Sequence, residues 1–288
     1  GMIVEVVEHI MEQWAPRWAA WERDNVGLQI GDRKRRVRRV LLSLDVTKDV
    51  VREAIRRNID LVISHHPLLF RPLTSISASE RVGELVLLLA EHRIALYSAH
   101  TNLDFTRDGV SFALARKLGL QHPRFLEPLK DRLAKIAVFV PQPYVNDVMS
   151  KMSEAGAGTI GAYSSCSFQT NGRGTFRGSE ESHPFEGKAG VLESAEEVRL
   201  EMALPRARAS DVVRAMKSAH PYEEVAYDLY PLLNGSPNHG MGAVGELRTA
   251  IPLESFLKSV KKELRSTSLR YAGDLKKKVR TIAACGGS

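Results

Sequence analysis

Ile3, Val6, Val7, Ile10, Met11 and Trp14 recur three and four residues apart, the spacing that gathers apolar side chains on one face of a helix. The run Val40-Leu41-Leu42-Ser43-Leu44 predicts a buried strand, and Thr47 is placed to cap a helix carrying Val50, Val51, Ala54 and Ile55. A strand over 60–64 follows. Val82, Leu85, Val86 and Leu89 then mark a helix that leads into a strand over 94–99. Asp108 can cap a further helix through Leu114 to Leu118. Strands alternating with helices predict an α/β fold with a mostly parallel sheet and helices on its faces.

The pattern changes near Pro123 and Pro128. Ile136 to Val140 predicts a strand, and Val145, Val148, Met149 and Met152 predict the helix after it. Glycine, serine and asparagine from Gly156 to Gly190 predict hairpins and loops. Val198, Leu200, Met202 and Leu204 alternate strictly, as in a half-buried strand. Ser210 is placed to cap a helix presenting Val212, Val213 and Met216, before a strand from Val225 to Tyr230. This β-α-β, β-α-β order predicts an α+β unit of ferredoxin-like or split-βαβ type. A helix over 252–264 and a strand over 279–284 return to the first pattern. The expected organisation is an α/β core over 1–128 and 237–288, interrupted by an inserted α+β domain over 129–236.

A length of 288 residues suits two domains, and no apolar stretch approaches the roughly 20 residues needed to span a bilayer. Glu5, Glu8 and Glu12 in the first helix, with no basic segment before it, argue against a signal peptide. Cys166 and Cys285 are too few for a disulfide framework or a cysteine zinc site, so a reduced, cytoplasmic protein is expected. Part of the net charge of +7 lies in Arg33-Lys34-Arg35-Arg36-Val37-Arg38-Arg39. No aromatic residues are interleaved there, and Lys276-Lys277-Lys278-Arg280 also precedes an apolar strand. Both clusters read as solvated strand entries, and nucleic acid is not expected as a partner.

The chemistry concentrates at two strand ends. His65-His66-Pro67 follows the apolar Leu61-Val62-Ile63, and His100-Thr101-Asn102-Leu103-Asp104 follows Ile94 to Tyr97. The carboxyl edge of strands in an open α/β sheet is where ligands bind. Imidazoles with a carboxylate suit a divalent metal, and mixed ligands leave zinc, manganese, iron, cobalt or nickel open. Adjacent strand residues point to opposite faces, but at a strand-to-loop junction both rings can turn into one cleft. Asp104 is the natural oxygen ligand, and His100 either ligates or hydrogen-bonds a substrate or water. Asp45 faces the same edge, as a supporting group or as part of the turn before Thr47.

Other motifs carry less. Gly240-x-Gly242-x-x-Gly245 matches a dinucleotide fingerprint in form only, since the strand-like Ala243 to Leu247 stands where a helix should open; a tight return loop is expected. His220-Pro221-Tyr222-Glu223-Glu224 joins a helix to a strand and reads as structural. Ser98, Ser164 and Ser165 lack the Gly-x-Ser-x-Gly setting of a nucleophile elbow.

Taken together, Ile63 to Phe70 and His100 to Asp104 resemble the Ngg-one-interacting factor three-like family, known as GTP cyclohydrolase I type 2 homologues. Asp24-Asn25-Val26-Gly27-Leu28, Asp45-Val46-Thr47, Gly242 to Leu247 and Cys285-Gly286-Gly287-Ser288 extend the resemblance along nearly the whole chain. It implies a dinuclear divalent-metal centre in a ring-shaped homohexamer, with an inserted domain like the PII and CutA proteins. It implies His65, His66 and Asp104 as metal ligands, and His100 as a further histidine of the site. A C-terminal His-x-x-x-Glu completes the family site; no such pair follows in this sequence, so the core reads as lacking its C-terminal part. The expected activity is hydrolysis of a nucleotide or another phosphorylated small molecule. His65, His66 and Asp104 would hold two ions, and His100 would position water or shuttle a proton as the catalytic group. Attack on a purine carbon and attack on phosphorus both remain open. The alternative is a non-catalytic metal-binding protein that regulates or scaffolds.

Overall fold

The computed structural model describes every residue except 180, 182–184, 186, 187, 189 and 288. Ser288 of the last motif and part of the loop-rich stretch before Gly190 therefore lie outside the described residues. The chain divides into two compact units, Gly1–Pro128 with His239–Ser288, and Leu129–Asn238. In chain order, the first unit opens with α1 (Val4–Trp14), β1 (Gly27–Ile30), β2 (Val40–Ser43), α2 (Lys48–Arg56) and β3 (Leu61–Ser64). It continues with α3 (Arg81–Glu91), β4 (Ala95–Ser98), α4 (Thr101–Asp104), α5 (Val110–Lys117) and β5 (Gln121–Pro128). The second unit holds β6 (Leu133–Val140), α6 (Val145–Glu154), β7 (Phe168–Phe176), β8 (Glu193–Pro205), α7 (Ala209–Ala219) and β9 (Tyr227–Leu232). The chain then returns to the first unit with β10 (Gly240–Pro252), α8 (Leu253–Glu263) and β11 (Lys278–Ala284).

The first unit carries two sheets. One has the order β1-β4-β3-β2. Strands β2, β3 and β4 run parallel because α2 and α3 carry the chain back between them. Thr47 caps α2 as expected, its side chain accepting from Val50 N at 3.2 Å. Val51, Ala54, Leu85 and Leu89 of these helices bury Val62 and Leu96 of the sheet. On the other face Val4 and Met11 of α1 cover Leu61 and Tyr97. Complete burial of a side chain such as Leu61 contributes roughly 1.5–3 kcal/mol, so these two layers hold the strand ends in place.

The expectation of a mostly parallel sheet needs correction. Strand β1 is antiparallel to β4, and the second sheet of this unit, β11-β10-β5, is antiparallel throughout. Only α2 and α3 act as crossovers; after α5 the chain pairs by antiparallel contact instead. The α1 stripe also divides in two. Val4 and Met11 are buried, whereas Val6, Ile10 and Trp14, spaced four apart, are 40–49% exposed. Gly240 and Gly242 lie inside β10 rather than in a return loop. A Cβ on Gly240 would come within 2.6 Å of the Glu127 carbonyl oxygen, so the glycine admits the close approach of β5. Neither Asp108 nor Ser210 caps its helix. Gly109 and Arg208 hold those positions, and Asp108 pairs with Arg116 at 2.6 Å.

The second unit forms one antiparallel sheet in the order β7-β8-β6-β9. Ile136, Val138, Leu200 and Met202 pack there against Val148 and Met152 of α6 and Val212 and Met216 of α7. His220 has the structural role expected of it: its Nε2 pairs with the Phe139 carbonyl at 2.8 Å, and burial holds its pKa down. The basic cluster before β2 is tied down as a strand entry, with Arg33 on Glu8 at 2.9 Å and Arg35 on Asp60 at 3.4 Å.

His239, where the chain re-enters the first unit, stacks edge-on against Trp18 with ring centroids 4.5 Å apart. Burial, helped by the Arg107 charge, pushes its pKa down to about 4. The unfolded chain takes up this proton near pH 6.5 while the folded chain stays neutral, so the stabilisation is complete above that pH and falls away towards pH 4. Between pH 7 and pH 5 the wild type is expected to lose about 2 kcal/mol more stability than His239→Gln. Urea denaturation at the two pH values measures this, and parallel losses in the two proteins would refute it.

Candidate metal centre

The parallel strands β2, β3 and β4 all end at one edge, and each delivers a polar residue to it. Asp45 follows β2, His65 and His66 follow β3, and His100 follows β4. Parallel pairing continues past the end of β3, with His65 N donating to Ser43 O at 3.1 Å and His66 N to Leu44 O at 2.8 Å. The buried Ser64 hydroxyl donates to the His66 carbonyl at 2.9 Å and bends the chain there. Both rings consequently face one cleft, with centroids 5.2 Å apart. The His100 ring lies 5.4 Å from His65 and 5.6 Å from His66.

The short helix α4 sets the next residue. One turn separates His100 from Asp104, closed by Asp104 N donating to His100 O at 3.1 Å. Asn102 anchors that turn: its Oδ1 accepts from His100 N at 2.9 Å, and its Nδ2 donates to Ala15 O at 2.8 Å.

Each imidazole has its Nδ1 engaged. His65 Nδ1 meets Ala99 O at 2.8 Å, His66 Nδ1 meets Asp45 Oδ1 at 2.7 Å, and His100 Nδ1 meets Asp24 Oδ1 at 3.0 Å. Acceptors at all three Nδ1 positions favour the tautomer with a lone pair on Nε2, which is how second partners prepare metal-binding histidines. One ligand atom from each of His65, His66 and His100 falls within 4.8 Å of the others, and the three can hold a metal ion.

Asp104 borders this set. Its Oδ1 lies 3.4 Å from His65 Nε2, an ionic approach rather than an aligned hydrogen bond, because that oxygen is buried and has no hydrogen-bond partner among the described residues. A buried oxygen without a donor costs roughly 1–3 kcal/mol unless a cation or donor meets it. The donor set therefore fits a divalent ion: imidazole nitrogens with one carboxylate oxygen left to coordinate. The Asp104 carboxylate holds the His65 pKa above its usual value, against the opposing effect of burial. The glycines after β11 close over the same carboxylate. A Cβ on Gly286 would lie 3.6 Å from Asp104 Oδ1 and 2.5 Å from Val110 Cγ1.

The sequence named His65, His66, His100 and Asp104 together, and the fold gathers all four. It also named Asp45, which the structure places on His66. The role of Asp24 was not legible. Its side chain is 3% exposed, and besides His100 it accepts from Thr101 N at 3.2 Å and from the Thr101 hydroxyl. Burial pushes its pKa up, but these hydrogen bonds outweigh that and hold it below the usual carboxylate value. Asp24 precedes His100 by 76 residues, a separation with no periodicity that could have linked them.

An α/β protein with a histidine and carboxylate cluster at the carboxyl edge of its parallel strands is the class that fold and site define. Residues 2–288 match the Duf34/NIF3 (NGG1p interacting factor 3) family, and the chain belongs to it. A Halalkalibacterium halodurans relative named GTP cyclohydrolase 1 type 2 homolog is 41% identical over 284 residues, 98% of this chain and 76% of the relative. The Bacillus subtilis protein of the same name is 41% identical over 279 residues, covering 96% of this chain and 75% of its own. Among solved structures, a Bacillus cereus protein related to NIF3 superposes with a TM-score of 0.80 at 40% identity, covering 100% of this chain and 77% of that one. Among the described residues no helix is long and apolar enough to cross a membrane.

Proposed function

We propose that the chain is a divalent-metal-dependent hydrolase of a nucleotide or another phosphorylated small molecule, with His65, His66 and Asp104 as metal ligands and His100 as the catalytic histidine. The observation that carries this is the preparation of the three rings: each Nδ1 is spent on a different acceptor, and one ligand atom of each ring lies within 4.8 Å of the others. His65 Nε2 also lies 3.4 Å from a buried carboxylate oxygen of Asp104 that has no hydrogen-bond partner among the described residues. A bound divalent ion supplies Lewis acidity, polarising the attacked group and lowering the pKa of water. His65 and His66 are fixed by the Ala99 carbonyl and Asp45 and need no reorganisation to bind. His100 accepts a proton at Nε2, and Asp24, already hydrogen-bonded to Nδ1, stabilises the imidazolium that results.

We read the second unit as an inserted ferredoxin-like module of PII/CutA type; its β-α-β-β-α-β order and central β8 and β6 strands support this. The exposed stripe of Val6, Ile10 and Trp14, with Leu42 73% exposed on edge strand β2, supports a homo-oligomer.

Elemental analysis after supplying zinc or manganese tests the reading, together with a screen for metal-dependent release of phosphate or ring-opened product from nucleotides. Bound metal with chelator-sensitive turnover is the expected result. Asp24→Asn is expected to keep its metal and lose about 10–100-fold in turnover, the usual cost of a lost supporting partner. Bound metal with no turnover of any nucleotide or organic phosphate would refute the hydrolase and leave a metal-binding regulator.

A further inference from the structure

Beside the histidine cluster the first unit carries a groove of about 480 Å³, walled by the Glu22–Asn25 turn and the Leu69–Ile76 loop. We infer that this groove binds a nucleoside phosphate, with Arg23 and Arg71 on the phosphate and Phe70, Leu73 and Ile76 against the base and sugar; the inference rests on the hydrolase reading of the neighbouring cluster.

Position is the first argument. Asp24 forms part of the groove wall, and the same carboxylate holds His100 at 3.0 Å. The other wall begins two residues after Pro67, on the loop that leaves His65 and His66. A ligand lying in the groove is thus one side chain away from the imidazole that would move the proton.

Surface chemistry is the second. Phe70, Leu73 and Ile76 are 49%, 42% and 53% exposed, a cluster of large apolar side chains within seven residues. Apolar clusters of this kind on a monomer surface mark binding grooves, and Phe70 offers a face to a planar base.

Two unpaired arginines suit the phosphate end of such a ligand. Several arginines near the start of the chain are ion-paired: Arg17 with Glu12, Arg33 with Glu8, Arg35 with Asp60. Arg23 and Arg71 have no hydrogen bond or ion pair to any described residue. Of the two acids in the lining, Asp24 gives its carboxylate oxygens to His100 and Thr101, and Glu22 is the other. The lining is formally neutral, but the Asp24 carboxylate is turned to His100 and Thr101, which leaves the Arg23 and Arg71 guanidinium forks open to an anion. Such forks match phosphate oxygens bidentately.

The walls are also fixed in advance. Leu69 N donates to Gln29 Oε1 at 3.0 Å, and Asn25 Nδ2 donates to the Leu69 carbonyl. A groove stapled at its base loses little entropy when a ligand arrives. Its volume falls within the roughly 300–1,000 Å³ of small-molecule sites, which selects a mononucleotide over a polymer.

Isothermal titration of metal-loaded protein with GMP, guanosine and inorganic phosphate tests the assignment. Arg23→Ala/Arg71→Ala is expected to weaken GMP at least tenfold and to leave guanosine within twofold. Phe70→Ala is expected to weaken GMP and guanosine alike while inorganic phosphate is unaffected. Both variants should keep the wild-type metal content. A GMP affinity unchanged in both variants, or no GMP binding to the wild type at millimolar concentration, would overturn the assignment. The two readings fail separately. Groove-dependent GMP binding that survives in His65→Ala/His66→Ala without any turnover in the wild type would remove the hydrolase and keep the groove. Metal-dependent turnover indifferent to Arg23, Phe70 and Arg71 would do the reverse.

Discussion

His65→Ala/His66→Ala is expected to fold and to lose its metal, with affinity falling by more than about 10³-fold. Loss of a mere supporting hydrogen bond costs 10–100-fold, and this variant removes two of the converging donors themselves. The fold survives because neither side chain belongs to a core cluster. The His65 and His66 side chains are 16% and 44% exposed, and the strand ends are held by backbone pairing to Ser43 and Leu44. Elemental analysis beside a thermal melt separates the two effects. Retained metal in the double variant would sink the assignment of these histidines, whereas a collapsed melt would show that they serve the fold.

Gly109→Ala is expected to cost about 3 kcal/mol or more in stability and to impair metal binding, although Gly109 touches no imidazole. A Cβ at this position would stand 1.9 Å from the Leu103 carbonyl oxygen and 2.9 Å from that of Thr106. Those atoms are backbone, so no rotamer change relieves the overlap. The relief available is displacement of the segment that contains α4, and α4 carries Asp104. Chemical denaturation measures the first effect and metal titration the second. A variant as stable as wild type, with unchanged affinity, would mean that this turn yields at no cost to the carboxylate.

The parallel part of the fold was legible because its apolar runs and helical spacings are strong and local: β3 and β4 end where the histidines begin. The antiparallel part was not. Strand β5 contains Pro123 and buries only Phe125 fully, so it shows no alternation, and its pairing with β10 is fixed by contacts more than 100 residues apart in sequence. Strand β1, Gly27-Leu28-Gln29-Ile30, opens on a glycine and fully buries no large apolar side chain, so it offers no apolar run to read. The site divides in the same way. Histidines beside strand ends announce themselves, and Asp45 lies on the same edge. Asp24 is set in place by a turn whose partner, Thr101, follows it only after four intervening strands. Thr47 caps as its side chain foretold, but Asp108 and Ser210 do not: Gly109 and Arg208 stand at those helix starts with no side-chain cap, which side-chain chemistry does not forecast.

The exit and return of the chain at the second unit have a consequence for folding. Pro128 and Gly240 are opposed residues of one antiparallel pair, and Leu133 and Leu232 are opposed residues of another. Topologically, β5 and β10 make a hairpin whose turn has been replaced by a whole sheet with two helices. A structured excursion that starts and finishes on neighbouring strands adds little loop-closure entropy, because its own ladder already holds its ends together. Each ladder can then zip without waiting for the other, and the long sequence separation between β5 and β10 slows assembly far less than a disordered loop of the same length would.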